Sequence, residues 1–401
     1  MSKDSTPTSI VAFPRDLTIQ LRNRVREAIE LVLEEELEAA LGARPSQRTE
    51  SRAGYRNGSI SRELVTEHGV QRLSIPRGRL FTEDGSTKEW RSEAVERYSR
   101  RTKRVDEAIV GVYFAGGNTR RIRKALSPLL GEKHLSKSAV SRVVKRLREL
   151  FEVWRSRDLS DLALAYVYLD AMFLPVRLAR RVVRVPVFAA IGVLDDGEKI
   201  LLSLEIARSE STASWGAVVT GLAGRGVSAP SLVIADGNPG LLRAVRDCWP
   251  ETKIQRCANH KRDNLLAKAP SHSHAELKRD YAAIVYAESL QMAKAARQAF
   301  VRKWKDYSTE VVRSLEEAGD DLFSFYSFPK SQWKSLRTTN PIESVNSAFR
   351  RRTKTQAAFT NEDSALVLLY GLFAMEQITL RKIDGWKDMQ EVKKPGLQQV
   401  A

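Results

Sequence analysis

The hydrophobic periodicity of this 401-residue chain changes near Arg155, and that change limits what it can fold into. Before it, apolar residues recur at spacings of three to five, as on amphipathic helices. After it come short runs rich in Val, Ile, Leu and Tyr at 164–169, 183–194, 199–206, 231–235 and, more briefly, 253–257, with a helix-like 211–222 before the fourth. A chain of this length builds two or three cores rather than one. No stretch approaches the roughly 18–20 apolar residues of a membrane span.

Three strands, a helix, a strand, then another helix and strand is the order of a ribonuclease H-like fold. From 264 to about 330 the chain turns helical and basic again, as an insertion into that α/β unit. Helices are expected to follow at 341–352 and 363–383, the latter strongly apolar. The fold class is therefore α/β: a ribonuclease H-like core with a helical insertion, preceded by largely helical DNA-binding modules.

The amino-terminal third reads as three pieces. Leu17, Leu21, Val25, Ile29, Val32, Leu37 and Leu41 mark an amphipathic helix over 16–41, which either packs on its own domain or forms a dimerisation seam. A polar, Arg-rich stretch over 44–57 precedes a hairpin at 64–75, turning at His68-Gly69. Arg62, Arg72, Arg77 and Arg79 fall in that region. Three helices follow: 105–115, broken by Gly116-Gly117; a second capped by Asn118 or Thr119 and expected to stop at Pro128; and a third capped by Ser136 or Ser138 and running to Leu150. The trio has the outline of a helix-turn-helix module.

The chain carries 66 basic and 49 acidic residues, a net charge of +17 and a pI near 9.9. Such an excess selects a polyanionic partner, because each Lys or Arg that neutralises a phosphate releases condensed counterions. The excess is concentrated over 118–150, where ten basic residues, among them Arg120, Arg121, Arg142, Lys145 and Arg146, face only Glu132 and Glu149. That concentration favours phosphate and groove contact over simple solvation. Two cysteines, Cys248 and Cys257, build no disulfide framework in a chain this long. The first fifteen residues have no secretion-signal pattern, so a cytoplasmic, nucleoid-associated protein is expected.

Two acids follow apolar strands. Asp170 is expected to terminate the first, and Asp236 lies where 232–235 gives way to Gly237. Carboxylates at the carboxyl ends of buried strands are held rigidly where ligands bind, and a pair on neighbouring strands suits two hard cations such as Mg2+ or Mn2+ flanking a phosphodiester. Asp236-Gly237 is equally an ordinary turn pair. Glu343 stands at the third helical position after Asn340 and Pro341, where it either reaches back as a capping box or holds a carboxylate at a helix N-terminus. Arg350, Arg351, Arg352 and Lys354 follow two turns later, suited to DNA phosphates.

Several segments together resemble the bacterial Mutator-type insertion-sequence transposases. They are Gly54-Tyr55-Arg56-Asn57-Gly58, Tyr168-Leu169-Asp170-Ala171, Ala235-Asp236-Gly237, Gln255-Arg256-Cys257-Ala258-Asn259-His260, and Thr338-Thr339-Asn340-Pro341-Ile342-Glu343 with Asn346 and the Arg350 run. The resemblance implies a DDE transposase with Asp170, Asp236 and Glu343 as the triad for two metal ions, acting on terminal inverted repeats and on target DNA as a homodimer or larger assembly. It further implies a copy-out route through a circular form. The 107 residues from Asp236 to Glu343 leave room for the inserted domain. Cys257 and His260 form a Cys-x-x-His pair that the family also shows. With His272 and His274 it outlines a zinc site, against a packing or DNA-positioning role. Trp215 after Glu210 matches an acid-then-Trp pattern of the family, against plain core packing. Arg56 and Arg77 join the DNA-binding candidates. The expected division is 1–50, 51–104, 105–155, a catalytic domain over 156–262 and 336–385, an insertion over 263–335 and a tail over 386–401. A ribonuclease H-like nuclease or resolvase that cuts without joining is the nearest alternative. A DNA-binding repressor with an idle triad is the other, kept open by Pro175 and the Arg-rich 177–184.

Overall fold

A computed structural model describes residues 15–50, 52–114, 119–130, 136–353, 359 and 361–391. The expected break at Gly116-Gly117, the cap at Asn118, Lys354 and the tail beyond 391 lie outside the described residues. The chain divides into two compact units, Met1–Arg146 and Leu147–Ala401.

In the first unit, α1 (Arg15–Leu41) buries Leu33, Leu37 and Leu41, one residue per turn, and packs on β2 of a three-stranded antiparallel sheet. The same helix leaves Ile19, Leu21, Leu31 and Val32 exposed. The sheet runs β1 (Gly54–Thr66), β2 (Gly69–Phe81), β3 (Thr87–Glu89), in that order. Its hairpin is longer than the alternation suggests: the stretch expected to be irregular up to Asn57 already pairs, Gly54 with Leu80, across an irregularity between Arg56 and Ser59. There follow α2 (Lys103–Phe114), α3 (Thr119–Leu130) and α4 (Lys137–Ser156), joined by a core of Val105, Ile109, Ile122, Leu126 and Val140. Helix α3 does not stop at Pro128. The proline withholds the N–H that would bond the Lys124 carbonyl, and the Ser127 hydroxyl donates to that carbonyl instead (3.2 Å). Helix α4 continues past Leu150, and the unit boundary falls inside it rather than at 155.

The second unit is mixed α/β. Its elements are β4 (Leu164–Leu178), β5 (Arg181–Leu194), β6 (Lys199–Ile206), α5 (Thr212–Gly224), β7 (Leu232–Ala235), α6 (Pro239–Cys248) and β8 (Lys253–Arg256). The sheet order is β6-β5-β4-β7-β8, antiparallel among the first three and parallel from β4 to β8. One consequence corrects the expected end of the first strand. Asp170 does not terminate β4; it lies mid-strand opposite Ala189, and β4 runs on to a two-residue turn at Ala179 and Arg180, both with positive φ (43° and 71°). Helices α5 and α6 cover one sheet face through Trp215, Val219, Leu222, Leu241 and Val245.

After β8 come α7 (Ala258–Leu266), α8 (His274–Val285), α9 (Leu290–Trp304) and α10 (Thr309–Glu317), which share their own core of Leu265, Leu277, Tyr281, Phe300, Trp304 and Leu315. The chain then runs through α11 (Trp333–Leu336) to α12 (Asn340–Thr353) and α13 (Glu362–Ala374). Helix α13 ends at Ala374 rather than continuing to 383, because Glu376 adopts a left-handed conformation (φ 53°) and the Ile378 N–H turns back to the Leu372 carbonyl. Among the described residues no helix is long and apolar enough to cross a membrane.

Alternation along β4 ties these layers together. Val167 and Leu169 enter the core under α5 and α6, whereas Tyr166, Tyr168 and Asp170 on the other face bond Gln332, the Ser335 carbonyl (3.1 Å) and Asn346 (2.7 Å). Tyr168→Phe leaves the Ser335 carbonyl buried without its donor and should cost about 1–2 kcal/mol in urea denaturation without changing the folded-state circular dichroism.

Candidate active site

Parallel pairing sets the geometry of the two aspartates. The β4–β7 ladder ends at Tyr168 opposite Ile234, and Asp170 and Asp236 each follow two residues further along their chains. Asp170 is only 7% exposed. Its Oδ2 accepts from Asn346 Nδ2, and the Oδ1 of Asn346 is itself buried without a partner. Asp236 begins a tight turn: its Oδ1 accepts from the Asn238 N–H (2.8 Å), and Gly237 takes φ +100° under the Arg256 guanidinium, where a Cβ would come within 2.4 Å of Nη2. Asn238 then caps α6 with its Oδ1, ahead of Pro239. The turn expected at Asp236-Gly237 is therefore present.

Glu343 enters from α12. The helix begins at Asn340, so the preceding Thr339 holds the cap position: its carbonyl accepts from the Glu343 N–H (2.9 Å) and its hydroxyl donates to Glu343 Oε1 (2.6 Å). The carboxylate is therefore engaged by a hydroxyl and not by the cap amide of a capping box. Asn340 instead accepts from Asn259 of α7 (2.9 Å). Thr339 is fixed in turn by Cys257, whose buried Sγ accepts from the Thr339 N–H (3.3 Å) and lies 3.2 Å from its hydroxyl oxygen. His260 Nδ1 lies 3.3 Å from that hydroxyl and 3.9 Å from Glu343 Oε1.

Asp170 senses the other two carboxylates electrostatically. Burial first, and then the charges of Asp236 and Glu343, push the Asp170 carboxyl up to about 7, opposed by His260. His260 is pushed up to about 9, chiefly by its hydrogen bond with Cys257, with Asp170 and Glu343 adding to the shift. An all-oxygen donor set that resists carrying its own negative charge suits a hard divalent cation. The tighter trio is a different one: ligand atoms of Cys257, His260 and Glu343 lie within 4.8 Å of one another. His272 and His274 do not belong to it, and His274 bonds the Ala269 carbonyl (3.0 Å).

Two side chains here have contacts that the sequence reading, which named them only within motifs, did not assign. Glu210 Oε1 accepts from Trp215 Nε1 (3.2 Å) and Asn238 Nδ2 (3.0 Å), and burial, with help from Asp236, raises its pKa. The available signal was its position one residue before Ser211, the cap of α5. Thr339 was overlooked because Asn340 is the better cap by residue type. Trp215 is fully buried, edge-on to Phe188 at 4.5 Å, and so is a core residue that positions Glu210 rather than a surface for DNA.

The basic candidates separate by environment. Arg56, expected on DNA, is tied to Glu34 (2.7 Å) and Glu38 (3.7 Å) of α1, which neutralise it internally. Arg77 faces Glu89 at 3.6 Å. Arg121, Arg142, Lys145 and Arg146 are exposed on α3 and α4, and Arg350, Arg351 and Arg352 on the last turn of α12. Arg120 falls in α3, but its side chain lies outside the described residues.

Residues 11–379 match the family model described as "Transposase, Mutator family". The chain is 32% identical over 366 residues to a transposase for insertion sequence element IS905 of Lactococcus lactis, covering 91% of each chain. It is 31% identical over 385 residues to that of ISRM5 of Rhizobium meliloti, covering 95% of this chain and 94% of the relative. To that of IS406 of Burkholderia multivorans it is 33% identical over 356 residues, 88% of each. The matched span reaches from α1 through α13 and so takes in both units and every acid described above. The chain belongs to the Mutator family of transposases.

Beneath Gly237, Arg256 and Lys261, 4% and 2% exposed, both pair with Glu317, at 2.7 and 2.8 Å. Glu317→Ala strands two buried cations. It should cost roughly 2–3 kcal/mol, less than the ~3–5 of a fully buried pair because the Glu317 side chain is half exposed. Burial raises the Glu317 pKa, but Arg256 and Lys261 together outweigh it and lower the folded value. The wild-type advantage over the variant should therefore be complete above the ordinary glutamate range and vanish as pH falls through that lowered value, as acid titrations of both proteins would reveal.

Proposed function

We propose that the protein is a DDE-type DNA transposase whose second unit carries a ribonuclease H-like core. In this reading α7 to α10 form a helical domain inserted into that core, and Asp170, Asp236 and Glu343 hold two divalent cations, Mg2+ or Mn2+. The observation that carries the reading is the convergence on Asp170: a buried carboxyl beside the parallel strand that Asp236 directly follows, bonded to Asn346 one helical turn beyond Glu343. Support comes also from the strand order, an antiparallel trio extended by two parallel strands, and from family membership.

Two displacements occur at one site. Water attacks the phosphodiester at an element end and the 3′-hydroxyl departs; that hydroxyl then attacks a second phosphodiester, in target DNA, and a new strand end leaves. Neither step forms a covalent bond to the protein. When bound, the pair of cations lowers the cost of placing an oxygen nucleophile and a departing oxyanion at one phosphorus. Asn346 fixes the orientation of the Asp170 carboxylate, and Thr339 does the same for Glu343. His260 provides a positive charge between them that limits their repulsion. Double-stranded DNA, as terminal inverted repeats and as target, is the partner, and the active form is a homodimer or larger assembly because two ends must be held together. The exposed bases of α3, α4 and α12 supply phosphate contacts.

The decisive assay incubates purified protein with its element ends and Mg2+ or Mn2+. Asp170→Ala, Asp236→Ala and Glu343→Gln should each reduce cutting and joining on the order of a thousandfold, equivalent to about 4 kcal/mol, while binding to end DNA persists. Chelation should abolish both reactions and Mg2+ restore them. Undiminished cutting by Asp236→Ala overturns the assignment, and cutting without joining identifies a nuclease instead. Arg350→Ala and Arg351→Ala should each lower the slope of log affinity against log salt by about one, as measured by titration with end DNA.

A further inference from the structure

A cavity of about 870 Å³ lies wholly within the first unit, and nothing above uses it. Its lining combines apolar surface from Ile60, Ile75 and Trp90 with the guanidinium groups of Arg62, Arg77, Arg91, Arg97, Arg100 and Arg142, and its carboxylates are Glu63 and Glu89. Glu89 is shared by Arg97 (3.2 Å) and Arg77 (3.6 Å), and Glu63 pairs with Arg72 (3.6 Å). Among the described residues no carboxylate pairs with Arg62, Arg91, Arg100 or Arg142. Arg62 donates to the carbonyls of Glu96 and Ser99, and Arg142 to the Ser138 carbonyl of its own helix. Burial, and then the like charge of Arg100, lower the Arg62 pKa. Guanidinium groups gathered into a concavity against their own repulsion define an anion site.

Tyr98 narrows the class of anion. It lines the same cavity, is 79% exposed and holds φ +69°, a conformation that costs a bulky side chain free energy. Neither burial nor a hydrophobic contact of that exposed ring accounts for the strain. The Arg97 guanidinium stacks over the ring at 5.1 Å from its centroid. A strained, solvent-facing aromatic next to unpaired guanidinium groups has the composition of a platform that stacks a base while arginines hold its phosphate. Size decides between forms of nucleic acid. A duplex keeps its bases stacked inside and cannot enter a cavity of this volume, whereas one extruded or unpaired nucleotide can.

We propose that this cavity binds a single unpaired nucleotide of a DNA strand, its base on Tyr98 and its phosphate among Arg62, Arg91 and Arg100. The proposal rests on the DNA-acting reading above but not on its carboxylate triad. It gives the first unit a means of recognising a frayed or single-stranded extension at a DNA end, separate from groove contact by α3 and α4.

The test uses the full chain in EDTA, where no cutting occurs, and measures fluorescence anisotropy at one salt concentration. A duplex with a short single-stranded extension should bind about tenfold more tightly than the same duplex made blunt, the scale of one base stacked on an aromatic ring. Tyr98→Ala should lose that preference and keep blunt-duplex affinity, and Tyr98→Phe should retain both. In the wild type, 2-aminopurine in the extension should be quenched on binding, a readout that stands even if an alanine variant folds poorly. Equal affinity for the two duplexes, absence of quenching, an undiminished preference in Tyr98→Ala, or better competition by polyglutamate than by a single-stranded oligonucleotide would each overturn the proposal. Asp236→Ala should keep the preference, so failure of the catalytic reading would leave a distinct signature.

Discussion

One face of β4 decides where the rest of the second unit goes. A strand presents alternate residues to opposite sides, and here the odd-numbered side is hydrocarbon that fills the layer beneath α5 and α6 while the even-numbered side is Tyr166, Tyr168 and Asp170. Those three find partners in Gln332, Ser335 and Asn346, residues spread over a single stretch of chain more than 160 positions away. A buried hydroxyl or carboxylate without a partner is costly, so the stretch from 332 to 346 is held against the sheet by polar necessity as much as by packing. Glu343 belongs to that stretch. Its position relative to the aspartates follows from bonds that the uncharged side chains or carbonyls of Gln332, Ser335 and Asn346 make with β4.

The same arrangement concentrates negative charge where the solvent cannot relieve it. Asp170 is buried, Asp236 stands beside it through the parallel register, and Glu210 stands beside Asp236 through Asn238. Burial first, and the neighbouring carboxylates second, raise the carboxyl pKa values of Asp170 and Glu210. Within the chain, His260 provides partial relief. A divalent cation would provide far more, so the proposed chemistry and the stability of the site would draw on a common feature, carboxylates gathered where burial disfavours their charge.

Much of this was legible in the sequence, and the exceptions have identifiable causes. The runs at 199–206 and 231–235 are bounded by Gly, Pro or Asp, and the structure places strands there to within a residue. The end of β4 was misread because its turn is built from Ala179 and Arg180, neither of which advertises the positive φ that a two-residue hairpin needs, and because Pro175 and a cluster of arginines interrupt the apolar pattern. Pairing with β5 overrides both. The roles of Thr339 and Glu210, residues named only within motifs, went unassigned for another reason: each also depends on a partner tens of positions away, Cys257 and Asn238, and periodicity reports only which face a residue occupies. Arg56 illustrates the converse, since composition marks it as a DNA contact whereas the acids of α1 already neutralise it.

The trio of Cys257, His260 and Glu343 would read, by donor type and spacing alone, as three-quarters of a zinc site. Its hydrogen bonds define a second role. The Cys257 sulfur is wholly buried, accepts from the Thr339 N–H and lies 3.2 Å from the Thr339 hydroxyl, the group that donates to Glu343. Those contacts fix the first turn of α12 and with it the residue that holds Glu343. The cysteine then contributes through position, as the peg on which the third carboxylate hangs, and an exchange to serine, which keeps two lone pairs, is tolerable where one to valine is not.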